Sequence, residues 1–337
     1  MTKRNSLILI IGSIAGIVLI YLWQKHIPLQ ELGEYFRALD LRYVLIASIV
    51  YLSAYFVRSL RWNLLLAQNV KISPGRSWMY AMAGNLLNYM IPIRAGELVK
   101  AWFVKRNHGQ AIVHTLPSIF IDKSFDTLAI LAVLILIPFL AIRLSLPLIL
   151  LLGVLALIFV ISAGIILLAA FQKDRTVGIL KLFFSWLPRK LRSKVNRFLI
   201  LFVQGLNLFE HHPAKLVGAT LLTILGIALD GLYFYLLFVA FGVAFPFLLA
   251  LFGYTLINMS YALPQPPAQL GSNEWMMIVI FSLGFGLTKS EASAIMAFAH
   301  ILTALLMLAV GLPAFAVSGI EVLKLIFKGE HLDAKST

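Results

Sequence analysis

Three clusters of charged and polar residues interrupt an otherwise apolar chain. The first contains Asn85, Asn88, Pro92, Arg94, Gly96, Glu97 and Lys100. On a helix restarting after Pro92, Arg94 and Lys100 each lie one turn from Glu97 and can pair with it. The alternative, on an equal footing, is that Arg94 or Lys100 holds a lipid phosphate, which a guanidinium grips in bidentate fashion. The second cluster is Asp122-Lys123-Ser124-Phe125-Asp126. It begins about 11 residues into an apolar run, roughly 16 Å deep at ~1.5 Å per residue. Each charge placed there costs about 2.5–3.5 kcal/mol, so it needs a partner or a task. Asp122 and Asp126 share a helix face. They suit proton carriage, head-group contact or Mg²⁺ binding, while Lys123 suits a pair with a neighbouring helix. The third cluster runs from Pro264, Pro266 and Pro267 through Gly271 to Glu274, which resembles Glu97 in its placement. Arg58 and Arg61, near the end of an apolar run, are expected to snorkel to the interface, where they can also meet a head group. Asp230 and His300 are further ionisable groups within apolar runs, and His300 reads as a hydrogen-bonded core residue.

The elements that must carry these residues are membrane helices. Of the 337 residues, 61% are hydrophobic and 12% charged, against about 45–50% and about 25% in soluble domains. The expected fold is an all-α integral-membrane bundle with spans at about 6–23, 42–66, 111–141, 146–171, 214–241 and 292–319. Residues 29–39 read as a short interfacial helix. Residues 77–108 and 247–287 are too interrupted for simple spans. Lys3 and Arg4 precede a run too long for a signal h-region, and Gln24-Lys25-His26 is no small-residue cleavage site, so the first span is read as uncleaved.

The net charge of +14 clusters as the positive-inside rule requires, with Lys71, Arg76, Lys105, Arg106, the basic segment 172–212, Lys324 and Lys328 on one side. That distribution explains the charge without nucleic acid. It places both termini in the cytoplasm of a multi-pass cell-membrane protein, and it requires 77–108 and 247–287 to be re-entrant hairpins of opposite orientation. Gly84 to Glu97 and Gly253 to Glu274 share the order apolar helix, Asn, Pro, Gly, Glu. Opposed hairpins of this kind are the inverted-repeat architecture of many transporters. The absence of cysteine excludes disulfides and thiolate chemistry. HExxH, P-loop, G-x-S-x-G and EF-hand patterns are also missing, so the residues themselves imply no cofactor and no metal.

At these same positions the chain resembles the flippase-like transmembrane domain of lysylphosphatidylglycerol synthases and its stand-alone relatives. The matching residues are Arg61-Trp62, then Asn88-x3-Pro92-x-Arg94-Ala95-Gly96-Glu97, then Asp122-Lys123-x2-Asp126, where the family often has Glu-Arg-x2-Asp. The last match is Pro267-Ala268-Gln269-Leu270-Gly271-x2-Glu274, with Ala268 and Gln269 where the family often has glycines. The resemblance covers nearly the whole chain. It implies helices with re-entrant segments and movement of polar-headed lipids between leaflets, such as aminoacylated or polyprenyl-phosphate-linked lipids. The soluble aminoacyl-transferase domain of the full synthases is absent from this sequence.

The expected activity is therefore a flippase or scramblase rather than an enzyme, with anionic membrane lipids as partners. Arg94, Glu97, Lys100, Asn88 and Glu274 would line the site, Asp122 and Asp126 would contact the head group or carry protons, and Arg58 and Arg61 would meet the head group. Two rival expectations are a Mg²⁺-dependent lipid-phosphate transferase using Asp122 and Asp126, and a non-catalytic subunit beside a glycosyltransferase or lipid synthase.

Overall fold

The computed structural model describes residues 3–27, 29–66, 70–91, 95–133, 172–183, 213–261 and 265–319, with isolated positions between 157 and 200. Every regular element among the described residues is helical. In chain order these are α1 (Lys3–His26), α2 (Leu29–Arg37), α3 (Leu41–Leu66), α4 (Pro74–Met90), α5 (Gly96–His108), α6 (Ile112–Ala132) and α7 (Lys173–Phe183). There follow α8 (Pro213–Ala240), α9 (Phe247–Ser260), a 3₁₀ turn (Pro267–Gln269), α10 (Ser272–Met277), a π turn (Ile278–Gly284) and α11 (Lys289–Ser318). The expected span 146–171 and most of the basic segment 172–212 lie outside the described residues.

Three described helices, α3, α8 and α11, are long and apolar enough to cross a membrane. A fourth span results if α1 and α2, bent by 87°, count as one. Large apolar side chains such as Ile17, Leu45, Leu221 and Leu305 stay exposed on these helices. In lipid that exposure carries no penalty, so the surface is apolar where a soluble protein's would be polar. The α6 helix carries Asp122, Lys123 and Asp126 and falls outside that apolar set.

Residues Met1–Tyr55, Trp78–Phe103 and Ala228–Thr337 form one compact unit, and Phe56–Ser77 with Val104–Ile227 a second. In the first unit α11 packs on α10, α2 and the π turn, while α1 packs on α10 and the 3₁₀ turn. Phe234, Phe238 and Phe281 are fully buried there with ring centroids 5.4–5.5 Å apart. A capping box starts α11: Glu291 N–H donates to Thr288 Oγ1 at 3.1 Å, and Thr288 N–H donates to Glu291 Oε2 at 2.9 Å.

Both interrupted segments fall largely in this first unit. The first breaks between Met90 and Gly96, the second between Ser260 and Ser272. Pro92 and the prolines at 264, 266 and 267 remove backbone donors that a continuous helix would need.

Candidate functional site

The second break closes on an unusual turn. Ala268 and Gln269 adopt positive φ, 52° and 57°, and Gly271 follows at 77°. The left-handed region costs a residue with a Cβ roughly 1–2 kcal/mol, which the surroundings must offset. Gln269 N–H donates to Pro266 O at 2.9 Å, and Ser272 Oγ donates to Gln269 O at 2.9 Å. Asn273 Nδ2 donates to Gln269 Oε1 at 3.0 Å. From α1, Leu19 O accepts a bond from Trp275 Nε1 at 3.0 Å. Ala268 and Gln269 thus keep a glycine-like backbone without the glycine. Ala268→Gly is accordingly expected to raise stability by up to about 1 kcal/mol, the reverse of glycine's usual effect. A thermal melt shows this as a higher midpoint, and a lower midpoint would contradict the strain reading.

His300 ties this turn to α11. Its Nε2 lies 2.6 Å from Ala268 O and its Nδ1 2.6 Å from Glu274 Oε1. Both side chains are buried. Glu274 Oε2 is buried too, with no hydrogen-bond partner among the described residues. The Tyr89 ring from α4 meets the His300 ring edge-on, centroids 6.0 Å apart. His300 lies roughly 16 Å along a helix of about 45 Å, at ~1.5 Å per residue. Within the first unit, both interrupted segments therefore converge on one histidine: the first through Tyr89, the second through Ala268 and Glu274.

At the first break the backbones of α4 and α5 touch. A Cβ built on Gly84 would fall 2.7 Å from Gly96 O. Gly96 N–H donates to Asn88 Oδ1 at 2.7 Å, so a side chain eight residues upstream caps α5. Lys100 Nζ lies 2.6 Å from Glu97 Oε2, and Lys100 is buried. Glu97 in the first turn also complements the helix dipole. Arg94 lies outside the described residues.

The second unit gathers the other charged candidates. Arg61 Nε donates to Asp122 Oδ1 at 2.7 Å, Nη1 to Thr223 Oγ1 at 2.9 Å, and Nη2 to Asp122 O at 3.2 Å and to Asp126 Oδ1. Arg61 is 1% exposed, and its guanidinium also lies over the Phe125 ring at 5.8 Å. The expectation that Arg61 snorkels to the interface is thus corrected: two carboxylates on one face of α6 draw it inward. Lys123 Nζ lies 3.2 Å from Asp126 Oδ2 on its own helix. Arg58 adds to the positive field at Asp126. Arg61 sits five residues from the end of α3, so Asp122 is level with that helix's last turns rather than its middle. No group of three or more potential metal ligands occurs among the described residues.

Comparison with known proteins finds relatives that are membrane proteins. The sequence model of the lysylphosphatidylglycerol synthase TM region matches residues 8–311. A UPF0104 membrane protein of Methanothermobacter thermautotrophicus is 23% identical over 96% of this chain and 98% of its own length. A second UPF0104 membrane protein, from Methanocaldococcus jannaschii, is 22% identical over 58% of this chain and 79% of its own. No solved structure matches the chain.

Proposed function

This chain belongs to the lysylphosphatidylglycerol synthase TM region family, and from that membership and the geometry we propose that it moves lipids with anionic head groups between leaflets. The observation that carries the reading is the convergence of two broken helical segments on the buried Glu274–His300 pair. Irregular backbone is tolerated at membrane depth only where protein or a watery cavity surrounds it. The segments α4 and α5, at 17 and 13 residues, are each shorter than the ~20 residues a span needs. That length favours a re-entrant hairpin for the first break, and the clustered prolines favour one for the second. An inverted repeat then follows from span, hairpin and span in each half: α3, α4–α5 and α6, against α8, α9–α10 and α11.

In this reading Lys100, held by Glu97, and Arg94 attract the phosphate, Asn88 shapes the first break, and Glu274 contacts polar head-group donors. Arg58, Arg61, Asp122 and Asp126 form a charged clasp that fixes α3, α6 and α8. The protein then acts as a transporter rather than an enzyme, in the cell membrane with both termini cytoplasmic. The rival Mg²⁺-dependent transferase requires Asp122 and Asp126 to be free for the ion, whereas both face Arg61.

The test is exchange of fluorescent phosphatidylglycerol, and separately of a polyprenyl phosphate, in phosphatidylcholine vesicles containing the purified protein. At least one probe is expected to exchange on the order of ten times faster than in empty vesicles, and Lys100→Gln to remove most of that gain by loss of a charge-assisted contact. No acceleration of either probe would move the accessory-subunit reading to the front.

A further inference from the structure

Donor counting at the Glu274–His300 pair fixes how many hydrogens it holds. A carbonyl oxygen only accepts, so the 2.6 Å contact with Ala268 O requires a hydrogen on His300 Nε2. The 2.6 Å contact between Nδ1 and Glu274 Oε1 then needs one more hydrogen between them. That hydrogen belongs to Nδ1, giving imidazolium and carboxylate, or to Oε1, giving imidazole and carboxylic acid. Either way the pair holds one exchangeable proton and is neutral overall. Without it, the Nδ1 lone pair would face a carboxylate whose Oε2 is already buried with no hydrogen-bond partner among the described residues.

We propose that Glu274 and His300 form a single-proton site whose proton latches the Pro267–Gln269 turn onto α11. The turn is suited to release because Ala268 and Gln269 are held in the left-handed region partly by the His300 bond to Ala268 O. Loss of the proton sets carboxylate against lone pair, pushes His300 from Glu274, and lets the strained turn relax. Among the described residues, the titratable groups facing the pair are the Tyr89 phenol from α4 and the Tyr261 phenol at the end of α9. The side of α1 nearest the turn presents Gly16 and Leu19. Glu31 of α2 is engaged with Ser290, roughly 15 Å along α11 from His300 at ~1.5 Å per residue. The role of the latch in transport rests on the proposed function: proton binding closes the second break, and a proton gradient then biases lipid movement.

The chain lacks cysteine, so one thiol can report on the turn. Leu270 is exposed beside it. Maleimide labelling of Leu270→Cys in vesicles is compared with Leu270→Cys/His300→Gln between about pH 5 and 9, the range in which an imidazole changes charge. The thiol's own ionisation cancels in the ratio of the two rates. That ratio is expected to rise with pH by on the order of tenfold per unit through the titration and to level off on both sides, as a one-proton equilibrium requires. In ¹⁵N-histidine NMR, the His300 signals, assigned by their loss in His300→Gln, should show Nε2 protonated throughout and Nδ1 changing over the same range. If His300→Gln does not fold, a small free thiol replaces it as the labelling reference. A flat ratio with pH-independent His300 signals overturns the inference; if phosphatidylglycerol exchange persists in the same vesicles, the transport reading survives that failure. A titrating ratio with no lipid exchange keeps the proton site and discards the transport reading.

Discussion

Arg61→Ala is expected to destabilise the protein by about 3–5 kcal/mol, the cost of leaving a buried ion pair with one partner missing. Two carboxylates converge on this guanidinium, and all three of its nitrogens donate. Alanine removes the donors and leaves Asp122, 4% exposed, with no cation to offset its desolvation. Arg61→Lys is expected to recover little, because a single ammonium cannot reach Asp122, Asp126 and Thr223 along the directions that a planar fork satisfies together. The triple variant Arg61→Ala/Asp122→Asn/Asp126→Asn should regain part of the loss by removing the stranded charges. Thermal unfolding in detergent reads all three. A loss below about 1 kcal/mol for Arg61→Ala would place the clasp in the range of exposed salt bridges and refute its structural role.

Gly96→Ala is the second large effect, expected to cost about 2–4 kcal/mol by combining overpacking with a lost helix cap. A Cβ on Gly96 would strike Gly84 O and lie 2.7 Å from the Asn88 amide, contacts that no relaxed structure contains. The nearest obstacle, Gly84 O, is backbone and cannot rotate away as a side chain can. Moving α5 to make room stretches the 2.7 Å bond from Gly96 N–H to Asn88. Gly33→Ala is the internal control: nothing lies within 4 Å of its added Cβ, and an open helical site should gain up to about 1 kcal/mol from alanine. Equal melting points for the two variants would mean that α4 and α5 do not touch as described.

By itself, the sequence determined that this is a helical membrane protein and where its helices are interrupted. Both follow from local physics: long apolar runs in lipid must satisfy their backbone internally, and clustered prolines cannot. The Glu97–Lys100 pair was legible for the same reason, since residues three apart on a helix are neighbours wherever the helix lies. The partners of the remaining charges were not. Arg61 meets Asp122 across 61 positions and Thr223 across 162, and a side chain at the end of an apolar run snorkels or turns inward according to what the next helix presents. His300 looked like a satisfied core residue. Its position 26 residues from Glu274 follows no helical period, because the intervening turn folds back by an angle that spacing does not encode. Only the tertiary structure decided that Ala268 and Gln269 take a glycine-like backbone, because the bonds that hold them there come partly from α11.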